Sequence, residues 1–306
     1  MSKPLILVFG ANPAWQKTLY FDKFSPCEVN RASRVELYAG GKGVNFCRAA
    51  ACCGIAATRL YQFSGGANGV LHEAALRDEL IDCRAVHVSA ETRCCTTCLD
   101  GSGGAMTELI EPSHAVSEAE AGEMLRNFDA GLAEASGAAV TGSLPDGTDP
   151  GLYTEVAKLA AKHGRPLLVD AVYPEMLNAV RKFVLKINMS ELKKLTGEGE
   201  AQTALRAGAA RWPDAILAIT DGGASAFLTA GGAFYRYAIP AIQVVSALGC
   251  GDTCSAVLFS ELLNGADAVE AFARGLAAAS ANCLSPRAGE FSNADCAVLM
   301  PKVSAI

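Results

Sequence analysis

The stretch Ala247-Leu248-Gly249-Cys250-Gly251-Asp252-Thr253-Cys254 places two glycines and a carboxylate at the start of an apolar run with helical character. Glycine allows a tight turn and a close approach to a ligand. The unpaired N–H groups of a helix N-terminus attract an anion. One interpretation is that the loop holds a transferring phosphoryl group while Asp252 takes the proton of the attacking hydroxyl. The alternative is a glycine-rich turn in which Asp252 caps the helix.

Around this stretch, helices alternate with short apolar strands from about residue 117 onward. The predicted helices are 117–135, 151–163, 201–211, 253–264 and 267–283, and the predicted strands are 138–141, 166–170, 183–187 and 215–219. This order predicts an α/β fold with a doubly wound, mainly parallel sheet. Ligands of such sheets bind beyond the carboxyl ends of the strands. Polar or glycine-containing loops fall at these ends: 142–147, Asp170, 188–191, 220–223 and 249–252.

The first third of the chain predicts strands at 4–9 and 60–64 and helices at 44–53 and 70–80, with Gly54 ending the first helix. The cluster Ala39-Gly40-Gly41-Lys42-Gly43 lacks the full pattern of an ATP-binding P-loop. It is either a hinge that offers the Lys42 cation, with Asn45 facing the same region, or a plain strand-to-helix turn with a solvated lysine.

Two β-rich segments, 12–39 and 87–112, interrupt the α/β pattern, and 100–104 is typical of a hairpin turn. We interpret them as a small second sheet that covers the site and excludes water. Its apolar residues are either buried in a dimer or packed on the parent domain; they include Leu19, Phe21, Val35 and Leu37. No linker is evident, so the expectation is a single domain over 1–306.

Composition excludes several classes of function. The net charge of −6 and the absence of a long basic run argue against nucleic acid as a partner, and no apolar run is long enough for a signal peptide or a membrane span. The twelve cysteines are spread along the chain, which favours a reduced cytoplasmic protein over a disulfide framework. Cys95 and Cys98 form a C-x-x-C, but no second pair follows at zinc spacing.

Taken together, the motifs resemble the PfkB branch of the ribokinase-like sugar kinases. They are Asn12-Pro13-Ala14, Ala39-Gly40-Gly41-Lys42-Gly43-Val44-Asn45, Gly142-Ser143-Leu144-Pro145, Asn188-x-x-Glu191 and Gly249-Cys250-Gly251-Asp252, in this order over nearly the whole chain. Within the branch the chain looks most like 1-phosphofructokinase and tagatose-6-phosphate kinase. The supporting stretches are Glu28-Val29-Asn30-Arg31, Thr92-Arg93 and 107–112. The resemblance implies a three-layer α/β/α fold with a β-sheet lid.

The resemblance also implies roles for individual residues. It implies Asp252 as catalytic base, with Gly249, Cys250 and Gly251 as the anion hole. Sugar contacts are implied at Gly40, Gly41 and Asn45, ligands of an existing sugar phosphate at Lys42 and Arg93, and a further substrate contact at Ser143. ATP contacts are implied at Lys186, Asn188, Thr220, Gly222, Gly223 and Asn282. Asn188 and Glu191 are implied to organise Mg²⁺, through water.

The chain departs from the family pattern at two positions. Where the family has an aspartate that accepts hydrogen bonds from the sugar, this chain has Gln16, preceded by Trp15, and a glutamine can donate as well as accept. Trp15 supplies either a stacking surface for the sugar or core packing. Cys250 replaces an alanine, and a thiol at a helix N-terminus can have a lowered pKa. The identity of the sugar therefore depends on the Trp15-Gln16 pair.

The expected function is an ATP- and Mg²⁺-dependent kinase that phosphorylates a hydroxyl of a phosphorylated ketohexose, acting in the cytoplasm as a homodimer joined through the lid. A kinase of an unphosphorylated sugar or nucleoside is the alternative favoured by Trp15-Gln16. Another alternative is a non-catalytic sugar-binding relative, against which the intact Asp252, Asn188 and Glu191 argue.

Overall fold

The computed structural model describes residues 3–102 and 106–305 and comprises two sheets and ten helices within that range. In chain order the elements are β1 (Leu5–Phe9), β2 (Ala14–Phe21), β3 (Arg34–Gly40), α1 (Lys42–Cys53), β4 (Ala57–Ser64), α2 (Gly66–Asp78), β5 (Cys83–His87), β6 (Cys94–Asp100), β7 (Met106–Ile110), α3 (Glu118–Leu132), β8 (Gly137–Thr141), α4 (Gly151–Lys162), β9 (Leu167–Asp170), α5 (Pro174–Ala179), β10 (Val184–Asn188), α6 (Met189–Thr196), α7 (Ala201–Arg211), β11 (Ile216–Asp221), β12 (Ser225–Ala230), β13 (Ala233–Ala238), α8 (Cys250–Leu263), α9 (Ala268–Asn282), α10 (Asn293–Leu299), a 3₁₀ turn (Met300–Lys302) and β14 (Ser304–Ala305).

The large sheet has ten strands in the order β14-β13-β12-β11-β10-β9-β8-β1-β4-β5. Seven neighbouring strands of this sheet pair in parallel: β5, β4, β1, β8, β9, β10 and β11. β12, β13 and β14 extend the sheet by antiparallel pairing. From β1 the chain proceeds to β4 and β5 on one side, and from β8 to β14 on the other. The order therefore reverses between β1 and β8, and ligands bind at such a reversal, beyond the carboxyl ends of the strands.

Helices cover both faces of this sheet because its central strands are apolar on both sides. In β1, Leu7 and Phe9 pack into a core with α3 to α7, whereas Ile6 and Val8 pack into the opposite core with α1, α8 and α9. The Phe9 ring makes an edge contact with Phe128 at a centroid distance of 5.3 Å. Burying a side chain of this size contributes about 1.5–3 kcal/mol. These two cores hold the strand ends, and the loops that follow them, in fixed positions.

The second sheet has four strands in the order β3-β2-β6-β7, and it confirms the small separate sheet expected from the two β-rich segments. Its strands are shorter than those segments. Residue 87 ends β5 of the large sheet, so the expectation that it belongs to the small sheet is wrong. β6 and β7 pair in antiparallel fashion, as a hairpin requires, although residues 103–104 of its expected turn lie outside the described residues.

The predicted helices and parallel strands are present, with ends that differ by a few residues. Gly54 follows the last residue of α1 and terminates the helix with a left-handed backbone, φ 75°. The hairpin of β12 and β13 was not predicted, although Gly231-Gly232 between the two strands is a hairpin signal. None of the helices in 3–102 and 106–305 is both long and apolar enough to cross a membrane.

Candidate active site

Gly249 closes the loop before α8 and has a left-handed backbone with φ 77°. A Cβ at this position would lie 2.7 Å from Cβ of Ala288 and 2.8 Å from the backbone N of Gly289, so only glycine fits. No side chain caps α8, and the N–H groups of Gly251 and Asp252 have no acceptor among the described residues. The N-terminus of α8 therefore retains donors for an anion.

These donors border a cavity of about 900 Å³ between the two sheets. Most residues predicted for the site line it: Gln16, Gly40, Gly41, Lys42, Asn45, Arg93, Lys186, Asn188, Glu191, Thr220, Gly222, Gly223, Gly249, Cys250, Gly251 and Asp252. Ser143 lines an adjoining cavity of about 370 Å³, which shares Lys42, Arg93 and Glu191 with the first. The fold thus brings residues from both ends of the chain to one place.

Asp252 lies in the first turn of α8 and is 5% exposed. Its Oδ2 accepts a hydrogen bond of 2.8 Å from Nδ2 of Asn45. Burial raises the pKa of Asp252 above its usual value, and the nearby Lys42 charge opposes this only in part. A carboxylate with a raised pKa binds a proton more readily, which suits a general base.

Asp170, at the end of β9, pairs with the cations nearest to Asp252. Its Oδ1 lies 2.9 Å from Nζ of Lys42, and its Oδ2 lies 3.7 Å from Nζ of Lys186 and accepts a hydrogen bond of 2.6 Å from Ser255. Burial alone would raise the pKa of Asp170, but the two lysines lower it below the usual range. In turn, Asp170 is the main cause of the raised pKa of Lys42. Sequence reasoning placed Asp170 in a strand-end loop but assigned it no role.

Arg93 also supplies a positive charge to the cavity. Its Nε is buried and has no hydrogen-bond partner in the described part of the chain. Its backbone oxygen accepts a hydrogen bond of 2.8 Å from Trp15, which anchors β2 beside it. Because Lys42 is already paired with Asp170, Arg93 is the cation better prepared for an anionic ligand.

Gln16 faces the cavity, whereas Trp15 does not line it. Nε2 of Gln16 donates to Oγ1 of Thr97 at 2.9 Å, and no hydrogen bond reaches its Oε1 from the described residues. The buried Trp15 side chain is on the opposite side of β2, since neighbouring residues of a strand alternate. Of the neighbouring residues Trp15 and Gln16, only Gln16 lines the cavity and can contact a ligand there.

Asn188 and Glu191 form a capping box at the start of α6. The Asn188 side chain accepts from the backbone N of Glu191 at 2.9 Å, and the Glu191 carboxylate accepts from the backbone N of Asn188 at 2.8 Å. The motif thus has a structural role, and it also fixes the Glu191 carboxylate toward the cavity. A carboxylate in this setting fits Mg²⁺, which keeps several waters and needs few protein ligands. Within 3–102 and 106–305, no group of three His, Cys, Asp or Glu side chains is arranged around a metal position.

The far side of the cavity has an apolar wall that sequence reasoning did not identify, formed by Ile242, Val244, Leu276 and Ala279. Thr220, Gly222 and Gly223 line the same cavity. Asn282, predicted as an ATP contact, is fully buried and does not line the cavity. Its Oδ1 accepts from Thr253 at 2.6 Å and from the backbone N of Gly289 at 3.1 Å. Asn282 therefore joins α9, α8 and the 288–289 segment.

Cys250 lies against Cys283, which directly follows α9, with the two sulfur atoms 2.7 Å apart. The hydrogen bond with Cys283, together with burial, raises the pKa of Cys250, so the expectation of a lowered pKa is wrong for this thiol. The same hydrogen bond lowers the pKa of Cys283. Cys283, which reverses the lowering of the pKa expected at a helix N-terminus, is 33 positions from Cys250 in sequence.

The fold agrees with comparisons to known proteins. Two structures of Escherichia coli phosphofructokinase-2 are similar: one in complex with potassium has a TM-score of 0.88 at 22% identity and one in complex with fructose-6-phosphate a TM-score of 0.85 at 23%, each covering 98% of this chain and 99% of the other. A Thermotoga maritima protein described as a possible 1-phosphofructokinase has a TM-score of 0.88 at 19% identity and covers 99% of both chains. These likenesses show a shared fold. The model of the pfkB family of carbohydrate kinases matches residues 5–295. The chain belongs to the pfkB carbohydrate kinase family.

Proposed function

We propose that this carbohydrate kinase transfers the terminal phosphoryl group of ATP to a hydroxyl of a phosphorylated ketohexose. The observation that supports this best is the position of Asp252, in the first turn of a helix whose unpaired N–H groups open into the cavity that Arg93 also lines. One end of such a cavity suits a phosphoryl group in transfer, and the other suits a phosphate already on the sugar.

In the proposed reaction, Asp252 accepts the proton of the attacking hydroxyl, and Asn45 orients its carboxylate. The N–H groups of Gly251 and Asp252 receive the negative charge of the transferring group. Lys186 adds a cation close to these donors. Its Nζ lies so near Gly251 that a Cβ built on this glycine would be only 2.9 Å away. Loss of one donor of this kind typically costs about 10²–10³ in kcat.

The buried, unpartnered Nε of Arg93 supports a phosphorylated substrate. An arginine binds phosphate through charge-assisted hydrogen bonds, and leaving its donors unpaired is costly. Lys42 contributes charge from the other side while it remains paired with Asp170. Gln16 would contact the sugar itself, with its Oε1 available as an acceptor.

ATP would lie along Asn188, Thr220, Gly222 and Gly223, with its base on the apolar wall. Magnesium would be held by Glu191, through water, and by the ATP phosphates, where it supplies positive charge to the transferring group. We further propose that the whole chain acts as one unit in the cytoplasm, where its cysteines stay reduced.

The small sheet is proposed as both a lid and a dimer interface. On the face of the small sheet that points away from the cavity, its edge strands β3 and β7 expose three large apolar side chains: Val35 (52%), Leu37 (53%) and Leu109 (57%). Of the residues named from the sequence, Val35 and Leu37 remain exposed, whereas Phe21 is buried and its ring lies 5.3 Å from that of Phe24. A second copy of the chain would cover such a patch.

A panel of sugars tests the proposed function. ATP consumption by the purified protein with Mg²⁺ would be measured with fructose 1-phosphate, fructose 6-phosphate, tagatose 6-phosphate, fructose and ribose, with the Asp252→Asn variant as the inactive reference. We expect turnover with at least one phosphorylated ketohexose and little with fructose or ribose. Turnover with an unphosphorylated sugar alone would overturn the proposed substrate class.

A further inference from the structure

Two thiols meet at the rim of the candidate anion hole. Cys250 is the first residue of α8, and Cys283 directly follows the last residue of α9. Their sulfur atoms are 2.7 Å apart, whereas a disulfide bond is about 2.05 Å long. Both side chains line the 900 Å³ cavity and are partly exposed, so a small reagent that enters the cavity reaches them.

The two thiols differ in acidity. Cys283 has a lowered pKa because it shares a hydrogen bond with Cys250, whereas the pKa of Cys250 is raised by the same bond and by burial. Cys47 and Cys254, which are buried in the core formed with α1, α8 and α9, have raised pKa values because burial disfavours the thiolate. Both sulfur atoms line the cavity and touch each other, so either thiol is placed to resolve an oxidised product on the other. Since the thiolate is the nucleophile, the lowered pKa favours Cys283 as the thiol that reacts first.

We propose that Cys250 and Cys283 form a dithiol modification site, which a hydroperoxide converts into a disulfide that blocks phosphoryl transfer. The sulfur of Cys283 attacks one oxygen of hydrogen peroxide, the O–O bond breaks, and the other oxygen leaves as hydroxide. The hydroxide takes up the proton lost by Cys283 and becomes water. The sulfur of Cys250 then attacks the sulfenic acid at Cys283, the S–O bond breaks, and a second water leaves. The two thiols lose two electrons, and the peroxide gains them.

The surroundings explain why a disulfide would disturb the anion hole. Cys250 adjoins Gly249, which has no spare room against Ala288 and Gly289. The backbone oxygen of Cys283 accepts hydrogen bonds from Val245 at 2.8 Å and Ser246 at 3.3 Å. A disulfide would therefore tie the loop before α8 to the end of α9 at a second point. A shift of the N-terminus of α8 would misplace the donors of Gly251 and Asp252.

Peptide mapping tests the site independently of any activity. The protein would be treated with hydrogen peroxide, its remaining thiols blocked, and its peptides analysed by mass spectrometry. We expect a linked peptide that joins Cys250 to Cys283 and that disappears after dithiothreitol. If the oxidised protein contains no such linkage, the site does not exist as proposed.

Activity measurements test the consequence, which rests on the proposed function. Peroxide should reduce turnover by roughly 10-fold or more, and dithiothreitol should restore it, because loss of one anion-hole donor alone costs about 10²–10³ in kcat.

Cys283→Ser should keep turnover in peroxide, whereas Cys27→Ser, at an exposed cysteine outside the cavity, should be inactivated like the parent. Cys283→Ala serves if the serine variant does not fold. Equal inactivation of the Cys283 variants and the parent would overturn the block. If no sugar phosphate is turned over by the reduced protein, the proposed function fails, while the mapping result still decides the site.

Discussion

Nδ2 of Asn45 donates a hydrogen bond of 2.8 Å to Oδ2 of Asp252, and the two residues are 207 positions apart in sequence. Asn45 lies in the first turn of α1, which begins two residues after β3 of the small sheet ends at Gly40, and Asp252 lies in the first turn of α8. The bond thus joins the part of the site next to the small sheet to the proposed base. Arg48, on the next turn of α1, donates to the backbone oxygens of Ala39 and Ala288 and holds both sides together.

Replacing Asp252 by Asn should lower kcat by about 10²–10⁴, the usual contribution of a general base. ATP affinity, measured by calorimetry, should stay close to that of the parent. The free energy of unfolding of this variant should not be lower than that of the parent. Because the pKa of Asp252 is raised in the folded state, ionisation destabilises the fold as pH rises through that pKa, and Asn removes this cost. The exposed Asp78→Asn is the matched control, and near-normal turnover of Asp252→Asn would refute the base assignment.

The pH dependence of kcat/KM should report the raised pKa of Asp252. Activity requires the ionised carboxylate, so it should fall as pH decreases through a pKa above the usual value of about 3.9. Asn45→Asp places a second carboxylate beside the first, and like charges raise the pKa further. The acidic limb of that variant should therefore move to higher pH. An unchanged limb would show that Asp252 does not control it.

Replacing Arg93 by Met should raise the KM for the sugar phosphate by roughly 10- to 100-fold, since a hydrogen bond to a charged group contributes about 1.5–3 kcal/mol. The KM for ATP should change little. Arg126→Met, at an exposed position of α3, is the control for loss of one positive charge. An equal loss of affinity for both substrates would argue against a role in binding the sugar phosphate.

Gly41→Ala should lower the free energy of unfolding by about 1–3 kcal/mol, the usual range for a strained backbone. Gly41 has φ 112° and ψ 149°, and a Cβ there would lie 3.0 Å from Cα of Pro13. Gly199→Ala is the control, since a Cβ at that position meets no atom within 4 Å. Denaturant titration of both variants gives the comparison, and equal stabilities would contradict the prediction.

Leu37→Glu should convert the proposed dimer into a monomer, because a charge in the centre of an apolar interface is not compensated. Light scattering after size-exclusion chromatography gives the mass of the parent and the variant. Val298→Glu is the control, since Val298 is also exposed, at 63%, but lies on α10. A monomeric parent would exclude the proposed interface.

Much of the fold could be predicted because each predicted element depends on residues that are neighbours in sequence. The apolar run Leu5–Phe9 and the helix that Gly54 terminates are local patterns, and the structure contains both. The order of the βα units then brings the strand-end loops to one edge of the sheet. The antiparallel strands β12 and β13 were missed even though their turn has a local signal.

What the sequence determined by itself was therefore the alternation of elements, the glycine loop before α8 and the residues available to the site. Only the tertiary structure decided their partners: Asp170 with Lys42 and Lys186, Asn282 with Thr253, and Cys250 with Cys283. Asp170 is 128 positions from Lys42, Asn282 is 29 positions from Thr253, and Cys283 is 33 positions from Cys250. The physical reason is that pKa and reactivity depend on burial and on neighbouring charges, and packing across the two cores sets both.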